Sequence, residues 1–136
     1  MEGFRATNPV AVGDRVEFET QAGDLGSIVN ILPRKNYIIR KAIKQSSEIQ
    51  VIAANVDQAI LITSLVAPRT LTGFIDRYLV TAEAYSIPVT IVFNKVDLYG
   101  DQEKNQLADM MHAYTQAGYN CFYTSVIKNI NINKIT

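Results

Sequence analysis

The sequence predicts a β-rich front followed by an α/β layer. Three features carry that reading. Up to Ser46-Ser47, short runs alternate polar and apolar residues between turn signals, which is the period of half-buried strands. Beyond that point, β-branched apolar runs alternate with stretches of helical period. Val89-Thr90-Ile91-Val92-Phe93 is nearly uninterrupted in its apolar character, as expected of a strand covered on both faces. With 136 residues, 48% hydrophobic and 19% charged, the chain has a globular composition of one ordinary domain or two small ones.

Taken in order, Val10-Ala11-Val12 meets the turn signal Gly13-Asp14, and Arg15-Val16-Glu17-Phe18-Glu19 then alternates as a half-buried strand. Gly23-Asp24-Leu25-Gly26 marks a second turn. Residues 28–32 and 37–43 are further β-rich runs, separated by Pro33-Arg34-Lys35-Asn36. Three or four short strands at this spacing suggest a small barrel or part of one, and an OB-type barrel needs five. Residues 49–53 and 58–64 are apolar strands of the second part. Thr72 is the expected N-cap of a helix, on which Phe74, Ile75, Tyr78, Leu79, Ala82 and Tyr85 share one face at steps of three and four. Ser86-Ile87-Pro88 ends it before strand 89–93. Asp101 is the expected cap of a second helix carrying Leu107, Met110, Met111 and Tyr114, with Gly118 at its C′ position. Cys121-Phe122-Tyr123-Thr124 is a short last strand, and the Asn-rich stretch 128–136 reads as a cut or frayed tail. The domains expected are residues 1–47 and residues 48–136.

Thirteen basic and thirteen acidic residues balance, so whole-chain charge argues for neither a nucleic-acid nor a membrane partner. Cys121 is the single cysteine and His112 the single histidine, which excludes an internal disulfide framework and argues against a zinc site. The start carries no basic region followed by an apolar one, as a secretory signal would, and the apolar-rich stretch 51–67 is interrupted by Asn55, Asp57 and Gln58. The expectation is a cytoplasmic monomer with no membrane contact.

One motif carries chemistry: Asn94-Lys95-Val96-Asp97, immediately after strand 89–93. Ligands of open α/β sheets bind outside the carboxyl ends of strands, which is where these residues fall. Guanine offers N7 and O6 as acceptors, and N1–H and an exocyclic amine as donors. An ionised Asp97 accepts from both donors in a charge-assisted pair, Asn94 donates to N7 or O6, and the Lys95 stem covers the ring with its ammonium hydrated. Adenine has no N1–H and would leave the carboxylate unpaired, a type of discrimination worth roughly 10⁴-fold. Thr124-Ser125-Val126 ends the next strand, where a backbone N–H can reach O6. No G-x-x-x-x-G-K-[ST] phosphate loop occurs in the chain, and none precedes Asn94.

The order of these pieces resembles that of a known family. Asn8-Pro9-Val10-Ala11-Val12-Gly13-Asp14 followed by Val16 resembles the OB-domain signature of the small ribosomal subunit biogenesis GTPase family (RsgA, also called YjeQ). Ala54-Asn55-Val56-Asp57-Gln58 looks like the family's entry into its GTPase domain, and Ile75-Asp76-Arg77-Tyr78-Leu79 like its first helix. Asn94-Lys95-Val96-Asp97-Leu98 looks like its fourth GTPase motif and Thr124-Ser125-Val126 like its fifth, ending in Val126 where Ala is more usual.

The resemblance implies a partial OB-fold β-barrel followed by the first part of a circularly permuted P-loop-type GTPase domain. It implies GTP binding through Asn94, Lys95, Asp97 and Ser125, and GTP hydrolysis in late maturation of the small (30S) ribosomal subunit, with that subunit and its 16S rRNA as partners. Mg²⁺ and Zn²⁺ are expected of the family's full-length protein, with their ligands absent from this chain. Catalytic residues are also absent, so the chain alone is expected to bind guanine nucleotide weakly and to hydrolyse nothing. The alternative is an OB-type RNA-binding module with no nucleotide hydrolysis.

Stretch 25–47 holds Arg34, Lys35, Arg40, Lys41 and Lys44 with no acidic residue, a candidate rRNA-contacting patch on which Tyr37 could stack a base. The bland reading is a solvated strand face. His112 reads as a surface side chain, Cys121 as a small buried hydrophobe and Asp76 as a helix-dipole partner.

Overall fold

A computed structural model describes residues 5–6, 9–21, 25–41 and 48–135. They group into two compact units, residues 1–57 and residues 58–136. In chain order the strands of the first unit are β1 (Arg5–Ala6), β2 (Val16–Gln21), β3 (Leu25–Ile31), β4 (Tyr37–Lys41) and β5 (Glu48–Ala54). β5, assigned from sequence to the second domain, pairs parallel to β1 and antiparallel to β4, so it lies in the first unit. β2 and β3 form a separate antiparallel hairpin with an irregularity at Glu17/Phe18. Among the described residues these two sheets do not close into a barrel.

The hairpin departs from the half-buried strand its alternation predicts. Phe18 is 62% exposed, and Ile28 and Val29 are 50% and 54% exposed. A two-stranded ribbon has no second layer of its own, so alternation sets its faces without burying either.

The turn at Gly13 is dictated by close approach. Val12 bridges to Ala53, and Ala54 N–H donates to the Val12 carbonyl at 2.8 Å. Gly13 has φ +87°, and a Cβ there would lie 2.1 Å from the Ala54 carbonyl oxygen. Only glycine fits. Asn55 and Asn36 lace the same corner: Asn55 Nδ2 donates to Gly13 C=O, and the Asn36 carboxamide both accepts from Val56 N–H and donates to Val56 C=O.

The second unit alternates β6 (Ala59–Thr63), α1 (Thr72–Ala84), β7 (Val89–Phe93), α2 (Asp101–Gln116) and β8 (Asn120–Tyr123). The three strands are parallel in the order β6-β7-β8, with Leu61 beside Ile91 and Ile91 beside Cys121. Both crossovers step the same way across the sheet, so right-handed connections set both helices on one face. Ala59, Leu61 and Thr63 are buried, whereas Ile60 and Ile62 on the opposite face are 45% and 66% exposed. All five residues of β7 are buried, as its continuous apolar run predicts.

The helix starts differ from expectation by one residue each. Leu71 occupies the N-cap position of α1, and Thr72 is its first helical residue with no side-chain cap. Gly100 takes that position in α2, where its N–H donates to Glu103 Oε2 at 3.0 Å. Asp101 therefore sits in the first turn, still favoured by the helix dipole. Tyr114 of α2 donates its hydroxyl to Asp76 Oδ1 of α1 at 2.8 Å, and burial with that bond holds the phenol's pKa far above its usual value.

The stretch read as a tail forms defined turns. Ser125 and Ile130 form an antiparallel bridge, residues 126–129 turn between them, and a 3-10 turn follows at Ile132–Lys134. Asn129 and Asn131 have φ of +51° and +53°, the left-handed region that asparagine tolerates, so the Asn-rich composition supplies turns.

Candidate functional site

The carboxyl ends of β7 and β8 bring four sequence-predicted residues together. β7 ends at Phe93, fully buried, and delivers Asn94, whose N–H donates to the Thr63 carbonyl of β6 at 2.8 Å. The Thr124 hydroxyl donates to Asn94 Oδ1 at 3.1 Å. That occupies the carboxamide oxygen and leaves its NH₂ to donate to a ligand. Residues 96–98 form a 3-10 turn, pinned by Val96 N–H on the Thr124 carbonyl at 3.1 Å.

Asp97 leaves that turn toward Ser125. The Ser125 hydroxyl donates to Asp97 Oδ1 and accepts from Lys128 N–H at 3.1 Å, within a residue that has no solvent exposure. The carboxylate is held by one oxygen, and its second oxygen remains an acceptor for a ligand. Ser125 thus acts through its side chain. Its N–H bonds the Ile130 carbonyl and Thr124 N–H bonds the Phe93 carbonyl, which leaves Val126 N–H as the backbone donor of this stretch.

Lys95 adds a bond the sequence did not predict. It sits at φ +64°, and its ammonium, at an exposed position, donates to the Ala67 carbonyl. The stem still lines a cleft of about 210 Å³ together with Asn94, Asp97, Leu98, Val126 and Ile127. Leu98, Val126 and Ile127 are 53%, 69% and 81% exposed, an aliphatic wall beside the polar groups. A flat heterocycle covering such a wall buries apolar surface at roughly 25 cal/mol per Å². Sequence reasoning missed Leu98 and Ile127 as contacts. The available signal was their position, Leu98 closing the string 94–98 and Ile127 following the string 124–126. A second cleft of about 190 Å³ lies beside Asn94 and Lys95, lined also by Ile62, Thr63, Ser64, Pro68 and Thr70.

Two cations of the basic patch are paired with carboxylates. Arg34 Nε and Nη2 reach Asp14 Oδ1 and Oδ2 at 2.6 and 2.7 Å, and the Asp14 side chain is 1% exposed. The Arg34 hydrogen bond, aided by Ala11 N–H, holds the Asp14 carboxyl below its usual value despite burial. Lys35 pairs with Asp57 at 2.5 Å on the surface and lowers that carboxyl too. Arg40 and Lys41 lie on β4, and Lys44 lies outside the described residues. Tyr37 is half-buried. Among the described residues no cluster of His, Cys, Asp and Glu suited to a metal occurs, and no helix is long and apolar enough to cross a membrane.

The chain is similar to proteins of one family. The family model described as RsgA GTPase matches residues 31–136. Curated relatives named Small ribosomal subunit biogenesis GTPase RsgA include that of Flavobacterium johnsoniae, 42% identical over 99% of this chain and 42% of the relative. That of Bacteroides fragilis is 44% identical over 99% of this chain and 44% of the relative. That of Porphyromonas gingivalis is 47% identical over 93% of this chain and 41% of the relative. The chain therefore spans less than half the length of the curated relatives it matches. Among solved structures, YjeQ from Thermotoga maritima is similar with a TM-score of 0.72 at 29% identity, over 97% of this chain and 46% of that one. YloQ, described as a circularly permuted GTPase, has a TM-score of 0.63 at 31% identity, over 90% of this chain and 39% of that one.

Proposed function

This chain belongs to the RsgA GTPase family, and from that premise we propose that it supplies the guanine-selecting half of a GTP-binding and GTP-hydrolysing factor for small ribosomal subunit maturation. The observation that carries this is the convergence of Asn94, Lys95, Asp97 and Ser125 at the ends of two adjacent parallel strands. Thr124 and Ser125 each orient one base-reading side chain. Asp97 accepts from N1–H and the 2-amino group, Asn94 donates to the N7/O6 edge, and Val126 N–H donates to O6. The ring lies between the Lys95 stem and the aliphatic wall.

The proposal extends to the parts the fold shows only coarsely. The first unit is read as OB-type because five short strands precede the α/β layer and the first pairs with the last. Its partners are the 30S subunit and 16S rRNA, reached through Arg40 and Lys41 of the basic patch, and the protein acts as a cytoplasmic monomer. Phosphate, Mg²⁺ and Zn²⁺ are assigned to segments of the relatives that this chain does not span. Residues 1–136 alone bind guanine nucleotide weakly and do not turn it over. The family match runs through the whole α/β unit, so nothing favours an RNA-binding module without nucleotide chemistry.

The test is nucleotide selection in the protein made from its complete reading frame. GTP displaces a labelled guanine nucleotide and ATP does not, and hydrolysis rises when small subunits are added. Equal displacement by ATP would remove the base-reading assignment.

A further inference from the structure

Tyr99 stands behind the base-reading loop, and the guanine reading leaves it without a role. The residue is 5% exposed. Its hydroxyl donates to the Asn94 carbonyl at 2.9 Å and accepts from Leu65 N–H at 2.9 Å. Leu65 is 3% exposed, so that amide has no ready water to replace the phenol.

The bonded carbonyl is the informative part. It belongs to the peptide that joins Asn94 to Lys95, and Lys95 sits at φ +64°, which a lysine does not hold without support. Rotation of that one peptide would relieve Lys95. It would also swing Asn94 away from the cleft and shift the turn that carries Asp97. The Tyr99 hydroxyl opposes the rotation by fixing the carbonyl direction. The segment that holds the phenol, residues 65–67, is tied to the same loop a second time by the Lys95 ammonium on the Ala67 carbonyl.

Resting on the guanine reading, we infer that Tyr99 is a positioning residue for base selection: its hydroxyl locks the Asn94–Lys95 peptide so that Asn94 and Asp97 meet the same purine ring together, each on its own edge. The loop is then held from both flanks, by Thr124 and Ser125 on the β8 side and by Tyr99 and residues 65–67 on the β6 side.

The experiment compares GDP with IDP, whose hypoxanthine base lacks the 2-amino group, by titration of the protein from its complete reading frame. Tyr99→Phe keeps the ring and removes the hydroxyl. The GDP-over-IDP ratio falls about fivefold, the worth of one ordinary net hydrogen bond. Tyr114→Phe removes a different phenol bond, to Asp76 between the helices, and leaves the ratio at the wild-type value. Should the phenylalanine chain fail to fold, Tyr99→Met fills the space with a flexible side chain and carries the same expectation. A wild-type ratio in a folded Tyr99 variant, whatever its thermal stability, makes Tyr99 a packing residue only and overturns the inference. Asp97→Asn run alongside separates the two ideas. If it fails to weaken GDP relative to XDP, the guanine reading itself falls. If it does weaken GDP while Tyr99→Phe keeps the ratio, only the role of Tyr99 falls.

Discussion

Replacing Asp97 by Asn exchanges one oxygen for an NH₂ group at nearly constant shape, and the structure decides which oxygen. The Ser125 hydroxyl spends its single proton on Asp97 Oδ1 while accepting from Lys128 N–H. An Asn at 97 keeps its oxygen toward that proton and puts its NH₂ where the ligand-facing oxygen was. Against guanine this sets a donor against the 2-amino donor. Two charge-assisted bonds are lost at roughly 1.5–3 kcal/mol each, and one neutral bond to N1–H is kept at about 1 kcal/mol. The net loss is roughly 2–5 kcal/mol, or about 30- to 5,000-fold in Kd for GTP. Xanthine carries a carbonyl at C2 and accepts from the new NH₂, so preference moves toward XTP by about 100-fold or more. Competition by GTP, XTP and ATP against a labelled guanine nucleotide, at one salt concentration and with a thermal melt to verify folding, measures the shift. A folded variant with an unchanged GTP-to-XTP ratio would show that Asp97 does not read the base.

Ser125→Ala strips the partner from Asp97 and from Lys128 N–H in a fully buried position. Guanine nucleotide affinity should drop about 5- to 30-fold, with roughly 1–3 kcal/mol of stability lost, read by calorimetry and thermal melting. Arg34→Ala removes the bidentate partner of the Asp14 carboxylate and leaves Ala11 N–H as its remaining bond, a loss of about 2 kcal/mol measured by urea unfolding. The sign of its pH dependence follows from the lowered native pKa of Asp14. That carboxylate's contribution is complete above its unfolded value of 3.8 and is lost as pH falls through the lower folded value. Without Arg34 the carboxyl returns toward its usual value and acid unfolding begins at higher pH; an unmoved acid midpoint would contradict the pairing. For RNA, Arg40→Gln with Lys41→Gln should flatten the salt dependence of 30S binding by roughly one unit of slope per lost phosphate contact. Arg34→Gln alone leaves the slope unchanged, because Asp14 already neutralises that charge.

The α/β unit was legible because each of its signals is local. Strand 89–93 is apolar at every position but one and proves buried throughout. Ile75, Leu79 and Ala82 fall on the helical face their spacing sets. The motif at 94–97 followed from strand order, since a βαβ layer presents strand ends on one edge. What escaped was non-local. β5 carries the β-branched composition of either domain, and only its pairing with β1 and β4 assigns it. Arg34 and Asp14 are 20 residues apart, so a basic residue that reads as a phosphate contact is consumed by an ion pair no local pattern reveals. The hairpin β2–β3 shows the converse, because alternation fixes which side chains share a face but not whether another layer covers it.

These observations bear on how the site is built. Each side chain proposed to read the base is oriented by a group within residues 58–136: Asn94 by Thr124, Asp97 by Ser125, and the intervening peptide by Tyr99. None of these bonds requires a phosphate loop. A site preorganised in this way loses little entropy on meeting its base, so its discrimination is an equilibrium property of one sheet edge. Phosphate contacts add affinity to every purine nucleotide alike and leave the ratio between bases unchanged. Order along the chain is then free to vary, because the selecting edge forms from two neighbouring strands whether the phosphate segment precedes or follows them. The same separation gives a consequence for residues 1–136 expressed alone: nucleotide binding is weak in absolute terms, yet the GDP-to-IDP ratio equals that of the longer protein. Equilibrium titration of both forms would show it. A ratio near one in the shorter form would mean that the edge is assembled by its ligand instead.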